Sequence, residues 1–241
     1  MKVLHIVAGA GQGGAETFCL DAVKALHDRG VEQVMIGRPH PHSLEALQAR
    51  GIRHYPMSFS PWLKWFQKKK IDTLIQQEQP DLIHSWMNRG ASFTPKQQDI
   101  PVLGWFGGYY DLKNYGACDF YMGVTRDIVR HIKEASGRPD RAYLGHTFGT
   151  LEPAPAVRKS DYGIPEDALM VLLLSRMHWK KGVDLLLDAA RDLPGVYFLM
   201  AGDGPDLEKY KSMAVDLGVG DRAIFPGWCD NRAALLDIAD L

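Results

Sequence analysis

The chain has 241 residues, of which 46% are hydrophobic and 24% are charged, and its 28 basic and 29 acidic residues give a formal net charge of -1. These values are typical of globular domains, are sufficient for two of them, and exclude a disordered or fibrous chain. The balanced charge gives no global attraction to nucleic acid, which is therefore not expected as a partner.

The cysteines and the N-terminus indicate a cytoplasmic protein. The three cysteines are widely spaced and form no CxxC pair, which argues against a disulfide framework or a zinc site. The apolar stretch at residues 3–8 is too short to span a membrane and leads into glycines without a cleavage site. We expect no metal site.

The N-terminal half alternates strand-like and helix-like segments. Apolar residues at 3–8 predict a strand, which passes through a glycine loop into a helix over 15–28. Such alternation predicts a parallel α/β sheet with helices on both faces. The further predicted strands are 31–37, 80–85, 101–106 and 121–124, and the further predicted helices are 43–50, 62–79 and 126–136.

The composition changes near Thr150. Two prolines and no apolar period over 151–160 indicate a linker, so we predict an N-terminal domain over 1–152, a linker over 153–163 and a C-terminal domain over 164–241. Continuous apolar runs in this domain predict strands buried on both faces of a second doubly wound sheet. Three strands and a final helix with no strand after it predict that the second domain is incomplete. Its predicted strands are 169–174, 196–201 and 223–225, and its predicted helices are 183–192, 207–217 and 233–239.

The glycine loop after the first strand allows more than one interpretation. Gly9, Gly11 and Gly14 satisfy the GxGxxG spacing of an NAD(P)-dependent oxidoreductase. That class requires an acidic residue after the second strand to bind the ribose, whereas this strand runs into Gly37 and Arg38; Arg38 would suit a 2′-phosphate instead. Alternatively, the glycines only permit a tight strand-to-helix turn.

A second loop, with Arg176 and Lys181, follows the apolar run 169–175, and glycine-rich turns at 201–205 and 225–227 come after it. This order resembles the nucleotide-sugar-binding half of the retaining GT-B glycosyltransferases of family 4, the "group 1" glycosyltransferases. The resemblance implies two Rossmann-like domains, with Arg176 and Lys181 holding the diphosphate of the donor. Without it, a lone Arg and Lys on a loop would be interpreted as a solvated pair.

The N-terminal half carries further matches to that family. Residues 13–16 read Gly-Gly-Ala-Glu and match its GGAE-like loop, which implies that this loop and the Arg176 loop form the two walls of one cleft. The predicted nucleotide-sugar-binding residues are Gly13, Gly14, Arg176, Lys181 and Gly204. The predicted acceptor-side residues are Glu16, Tyr109 and Asp111, although Tyr109 would also suit packing and Asp111 would also suit a helix N-cap.

The resemblance implies transfer of a hexose from a nucleoside-diphosphate sugar, with retention, to a glycan or lipid-linked acceptor in bacterial surface polysaccharide or lipopolysaccharide biosynthesis. No metal or other cofactor is implied. Two departures bear on activity: the family's ExxxxxxxE pair would come after Leu241, and Gly107 stands where many members have a histidine. We therefore assign no catalytic residue. An NAD(P)-dependent oxidoreductase and a non-catalytic fragment or pseudoenzyme that binds a partner remain the alternatives.

The segment Trp62–Lys70 mixes aromatic and basic residues. This combination is typical of peripheral enzymes that act on lipid-linked acceptors, and it predicts contact with the inner face of the membrane. The alternative is that Trp65 and Phe66 pack on the sheet and that the lysines are merely solvated.

Overall fold

The computed structural model describes residues 1–9, 13–149, 151 and 153–241, with the backbone alone at residue 42. The chain divides into two compact units, Met1–Gly149 and Thr150–Leu241. Each unit has its own parallel sheet and its own core.

The first unit contains a seven-stranded sheet in the order β3-β2-β1-β4-β5-β6-β7. Every neighbouring pair of strands is parallel. The carboxyl ends of all seven strands therefore point in the same direction. The strands are Lys2–Val7 (β1), Glu32–Gly37 (β2), Arg53–Pro56 (β3), Leu82–Trp86 (β4), Val102–Phe106 (β5), Phe120–Gly123 (β6) and Ala142–Leu144 (β7). The helices are Gly14–His27 (α1), Pro41–Gln48 (α2), Lys64–Glu78 (α3), Met87–Phe93 (α4) and Arg126–Ser136 (α5).

The predicted alternation in this unit is confirmed, but three elements have no counterpart in the sequence prediction. Strand β3 reads Arg-His-Tyr-Pro and β7 has only three residues; both are at or next to an edge of the sheet, where a strand needs no long apolar run. Helix α4 starts directly after β4. Its seven residues are too few to show a helical apolar period.

A buried polar cluster crosses the middle of this sheet. The Trp86 indole N–H donates to His5 Nδ1 at 3.1 Å, so Nδ1 is the acceptor and Nε2 carries the proton. His5 Nε2 lies 3.0 Å from Gln33 Oε1, and the Gln33 amide donates to the carbonyl of Val23 at 2.8 Å. The ring of His84 packs against that of Trp86, with ring centres 4.2 Å apart and the planes tilted by 36°. Burial lowers the pKa of His5 to about 4 and holds the pKa of His84 well below its usual value, so both rings are neutral at pH 7.

The second unit contains a three-stranded parallel sheet in the order β10-β9-β8. Two residues of the predicted linker, Val157 and Tyr162, pack against a hydrophobic cluster that includes Ile164 and the strand residues Met170 and Leu199. The main-chain N–H of Leu172 in β8 donates to the carbonyl of Leu241 at 2.8 Å. The strands are Leu169–Leu174 (β8), Val196–Ala201 (β9) and Ala223–Gly227 (β10), and the helices are Val183–Ala190 (α6), Leu207–Asp216 (α7) and Arg232–Ile238 (α8). The predicted elements of this unit are confirmed, with small shifts at some ends.

Candidate functional site

Two cations lie on the loop that follows β8, here named the cationic loop (residues 175–182). Arg176 and Lys181 are exposed. Within the described part of the chain, neither side-chain cation forms a hydrogen bond or an ion pair. The carboxyl end of a parallel strand is where α/β sheets bind ligands, and exposed cations are chemically suited to an anion such as a diphosphate; the role of Arg176 and Lys181 in binding one stays a prediction.

The cationic loop is held by main-chain contacts to the loop after β9. The N–H of Met177 donates to the carbonyl of Asp203 at 3.0 Å, and the N–H of Asp206 donates to the carbonyl of Met177 at 3.2 Å. The Asp206 carboxylate also accepts from the N–H of Trp179 at 2.8 Å. A β-carbon placed on Gly204 would lie 2.2 Å from the carbonyl oxygen of Met177. Gly204 therefore permits the close approach of the loop that carries Arg176 and Lys181, and its contact with a nucleotide sugar stays a prediction.

In the first unit, the described part of the glycine loop is partly covered by Glu16. Gly13 is the extended N-cap of α1, and a β-carbon on it would lie 2.6 Å from Glu16 Oε2. A β-carbon on Gly9 would lie 2.1 Å from Glu16 Oε1. At Gly14 nothing described lies within 4 Å of such an atom. The carboxylate therefore lies where the glycine loop was predicted to admit a phosphate. This placement favours hydroxyl groups as ligands at Gly13. Gly11 of the GxGxxG spacing lies outside the described residues.

The other acceptor-side candidates have partners within the first unit. The hydroxyl of Tyr109 donates to the carboxylate of Asp127, and its ring meets the edge of His131 at 5.5 Å. Asp111 caps the short 3-10 turn Leu112–Tyr115, accepting from the N–H of Lys113 at 2.9 Å, and forms a 2.7 Å ion pair with Lys113 Nζ. Asp111 thus has the capping role that the sequence allowed as its alternative.

Glu16 is close to a different tyrosine. Burial first, and then the Glu16 carboxylate, raise the pKa of the Tyr110 hydroxyl. The ring of Tyr110 stacks 6.4 Å from Tyr115. The sequence identified residues 106–112 as an aromatic stretch, and within it Tyr110 is the tyrosine that interacts electrostatically with Glu16.

Gly107 is packed against an indole ring. A β-carbon there would lie 2.4 Å from Trp105, so a histidine at this position would require Trp105 to move.

The described residues include no group of three or more His, Cys, Asp or Glu side chains placed to hold a metal ion.

An open pocket lies between the ends of β1 and β2. The space inside it that a water-sized sphere can occupy is about 130 Å³, smaller than the volume of about 300–1,000 Å³ that is common for small-molecule sites. Its lining includes the polar residues Glu16, Arg38, His40, Ser43 and His54, and it is named here the Arg38 pocket. Of these five, the sequence singled out Arg38 and Glu16, because His40, Ser43 and His54 belong to no motif.

The start of α3 exposes an aromatic patch, which consists of Trp62, Leu63, Trp65 and Phe66. Trp62 is 95% exposed, and Lys69 Nζ lies 3.9 Å from the centre of the Trp65 ring. The helix buries a different set of side chains, namely Ile71, Leu74, Ile75 and Glu78. The alternative that Trp65 and Phe66 pack on the sheet is therefore wrong.

Comparison with known proteins identifies the family. The model of Glycosyltransferase Family 4 matches residues 12–144 and that of Glycosyl transferases group 1 matches residues 157–241. The lipopolysaccharide core biosynthesis glycosyltransferase LpsD of Rhizobium meliloti is 31% identical over 100% of this chain and 70% of its own length. The chain belongs to glycosyltransferase family 4. This membership places it among glycosyltransferases, and not among the oxidoreductases that the GxGxxG spacing allowed.

Further relatives of this family 4 chain agree in sequence and fold. LpsE of Rhizobium meliloti, also a lipopolysaccharide core biosynthesis glycosyltransferase, is 29% identical over 100% of this chain and 71% of its own length. The structure of Anabaena HepE in complex with UDP and glucose has a TM-score of 0.78 at 16% identity, covering 100% of this chain and 72% of HepE. The fold is thus GT-B. No helix in the described ranges has the length and apolarity needed to cross a bilayer.

Proposed function

We propose that the chain takes part in the transfer of a hexose from a nucleoside-diphosphate sugar to a glycan or lipid-linked acceptor in lipopolysaccharide assembly. The observation that carries the proposal is the pair of exposed, uncompensated cations, Arg176 and Lys181, on a loop held by the backbone around Gly204. The names of LpsD and LpsE support the pathway, and the UDP and glucose in HepE support the donor class. Retention at the anomeric carbon belongs to the proposal through the family resemblance.

In this scheme, Arg176 and Lys181 neutralise the charge that grows on the diphosphate as it leaves. The guanidinium supplies a planar pair of donors and the ammonium a point charge, and both bind a departing phosphate more strongly than a neutral donor would. Two cations account for this stabilisation without a metal ion, so we propose a metal-independent transfer. We propose that Glu16 and Tyr110 of the first unit contact acceptor hydroxyls; Tyr110 replaces the predicted Tyr109 and Asp111, whose side chains have partners within that unit.

We expect Arg176→Ala and Lys181→Ala each to weaken binding of UDP by at least about tenfold, because each removes a charge-assisted contact to phosphate. Isothermal titration of the full chain with UDP, with EDTA present, measures the effect. The matched controls are Arg191→Ala, which removes an exposed arginine at the opposite end of α6, and Lys180→Ala, whose ammonium lies 5.4 Å from the centre of the Trp179 ring. Equal affinity of Arg176→Ala, Lys181→Ala and the controls would overturn the assignment, and loss of UDP binding in EDTA would overturn metal independence.

We further propose that the aromatic patch attaches the protein to the anionic inner face of the membrane. Exposed indole and phenyl rings beside Lys68, Lys69 and Lys70 match the interface of a bilayer, where rings enter the headgroup region and ammonium groups meet lipid phosphates. Because the chain as a whole carries a net charge of -1, its attraction to an anionic membrane would come from this basic segment.

Two variants separate these contributions. Replacing Lys68, Lys69 and Lys70 with Glu is expected to abolish co-sedimentation with anionic vesicles. The Trp62→Gln, Trp65→Gln pair is expected to reduce it severalfold at unchanged charge, because buried aromatic area adds to the electrostatic attraction. Vesicles of neutral phosphatidylcholine provide the reference. Unchanged sedimentation of both variants would rule out this attachment.

A further inference from the structure

The Arg38 pocket has a polar lining that the proposed diphosphate site does not use. It lies in the first unit, whereas Arg176 and Lys181 belong to the second. Its floor is largely apolar, with Val7, Leu20 and Met35 among its residues. Charged groups lie at its walls, Arg38 after β2 and Glu16 on α1.

Arg38 is positioned to bind an anion. Its Nε donates to the carbonyl of Ser58 at 2.9 Å, which fixes the plane of the guanidinium. Within the described residues, its two terminal nitrogens have no hydrogen-bond partner, and together they present the fork that binds two oxygens of a phosphate. Ser43 lines the same wall and adds a hydroxyl donor.

Two further groups of the lining, His54 and Cys19, are neutral. Partial burial lowers the pKa of His54, against a hydrogen bond to the backbone of Gly37 that raises it, so the ring is uncharged at pH 7 and offers a donor and an acceptor. Burial and then the Glu16 carboxylate raise the pKa of the Cys19 thiol, so the buried wall carries no thiolate. The charge in this part of the pocket is therefore Arg38 on one wall and Glu16 on another.

A ligand that complements this arrangement has a phosphate at one end and hydroxyl groups at the other. The carboxylate of Glu16 repels a second anion and accepts hydrogen bonds from hydroxyls, whereas Arg38 and Ser43 favour phosphate oxygens. We infer that the Arg38 pocket binds a phosphate monoester of a sugar, with the phosphate on Arg38 and the sugar hydroxyls toward Glu16. This inference rests on the proposed function, since the sugar phosphate would be part of the acceptor.

The inference is tested by titrating the full, ¹⁵N-labelled chain with glucose 6-phosphate, glucose and inorganic phosphate and measuring amide shifts. We expect glucose 6-phosphate to bind more tightly than either fragment. Arg38→Gln should weaken glucose 6-phosphate binding by about tenfold or more, and Ser43→Ala should weaken it by less. Glu16→Gln should reduce the preference for glucose 6-phosphate over inorganic phosphate. The spectrum of each variant shows whether it has folded.

The matched control is Arg29→Gln, because Arg29 is exposed, lies just after helix α1 and, among the described residues, donates its side chain to the carbonyl of Ala25 alone. No binding of glucose 6-phosphate to the wild type, equal weakening by Arg38→Gln and Arg29→Gln, or equal binding of inorganic phosphate and glucose 6-phosphate would each overturn the inference. A failure here is distinguishable from failure of the transferase proposal, which depends on UDP binding through Arg176 and Lys181.

Discussion

Replacing Gly202 with Ala is expected to destabilise the second unit by about 2–5 kcal/mol and to abolish UDP binding. Gly202 has φ +148°, a conformation that an L side chain rarely adopts. A β-carbon there would lie 1.9 Å from the carbonyl oxygen of Ser175, a distance that only movement of the backbone can relieve. Gly202 also donates its N–H to the carbonyl of Gly227 at 2.7 Å. The substitution therefore disturbs all three loops at the carboxyl ends of the sheet.

The matched control for backbone strain is Gly195→Ala. Gly195 has φ +85° and nothing within 4 Å of an added β-carbon, so its substitution incurs only the cost of a left-handed residue, roughly 1–2 kcal/mol. Hydrogen exchange of peptides from residues 169–227, together with UDP titration, measures the effect. Equal protection and equal UDP affinity in both variants would show that the contact between Gly202 and Ser175 does not hold the cationic loop in place.

The sequence predicts best the strands that read as unbroken apolar runs. The strands over 169–174 and 196–201 have the predicted bounds. The prediction that both are buried on two faces is wrong for β8, an edge strand in which Leu169 is 61% and Leu174 is 36% exposed. Edge strand β3 has no such run: the guanidinium of Arg53 and the hydroxyl of Tyr55 both bind the buried carboxylate of Glu78, at 2.9 and 2.5 Å. Tertiary hydrogen bonds between residues more than 20 positions apart leave no local pattern to detect.

In the candidate site, too, local sequence patterns were predictable and contacts between distant residues were not. Arg176 and Lys181 were predictable because the end of an apolar strand and a known family pattern place them on one loop. The position of Glu16 over Gly9 and Gly13 depends on how a side chain folds back, and the electrostatic interaction of Glu16 with Tyr110 joins residues that are far apart in the chain. Neither is encoded in residue spacing. Asp111 shows where prediction from sequence stops, because an aspartate before a short turn is compatible with two roles, capping the turn and binding a ligand in a cleft.

Acidification from pH 7 to pH 4 is expected to cost the first unit roughly 3 kcal/mol through His5 alone, because burial lowers its pKa from 6.5 to about 4. An unfolded chain binds a proton at His5 below about pH 6.5, whereas the folded chain resists protonation until about pH 4. Stability is therefore complete above pH 6.5 and falls as the pH decreases through that window. In the folded state, a proton on Nδ1 would also face the indole N–H of Trp86, which needs that nitrogen as its acceptor.

The lowered pKa of buried His84 adds to the loss of stability at acidic pH, although its Nε2 forms no hydrogen bond among the described residues. That atom is buried and has no partner among the described residues, so His84→Leu removes a titrating group and no hydrogen bond at that nitrogen. We expect the variant to be as stable as the wild type, within about 1 kcal/mol, at pH 7.5, and to lose less stability between pH 6.5 and 4.5. Urea unfolding followed by tryptophan fluorescence measures the difference, since the ring of Trp86 packs against that of His84. His146→Leu, at an exposed histidine, is the matched control and should leave the pH profile unchanged. Identical profiles for His84→Leu and the wild type would show that the buried histidine cluster does not set the acid sensitivity of this fold.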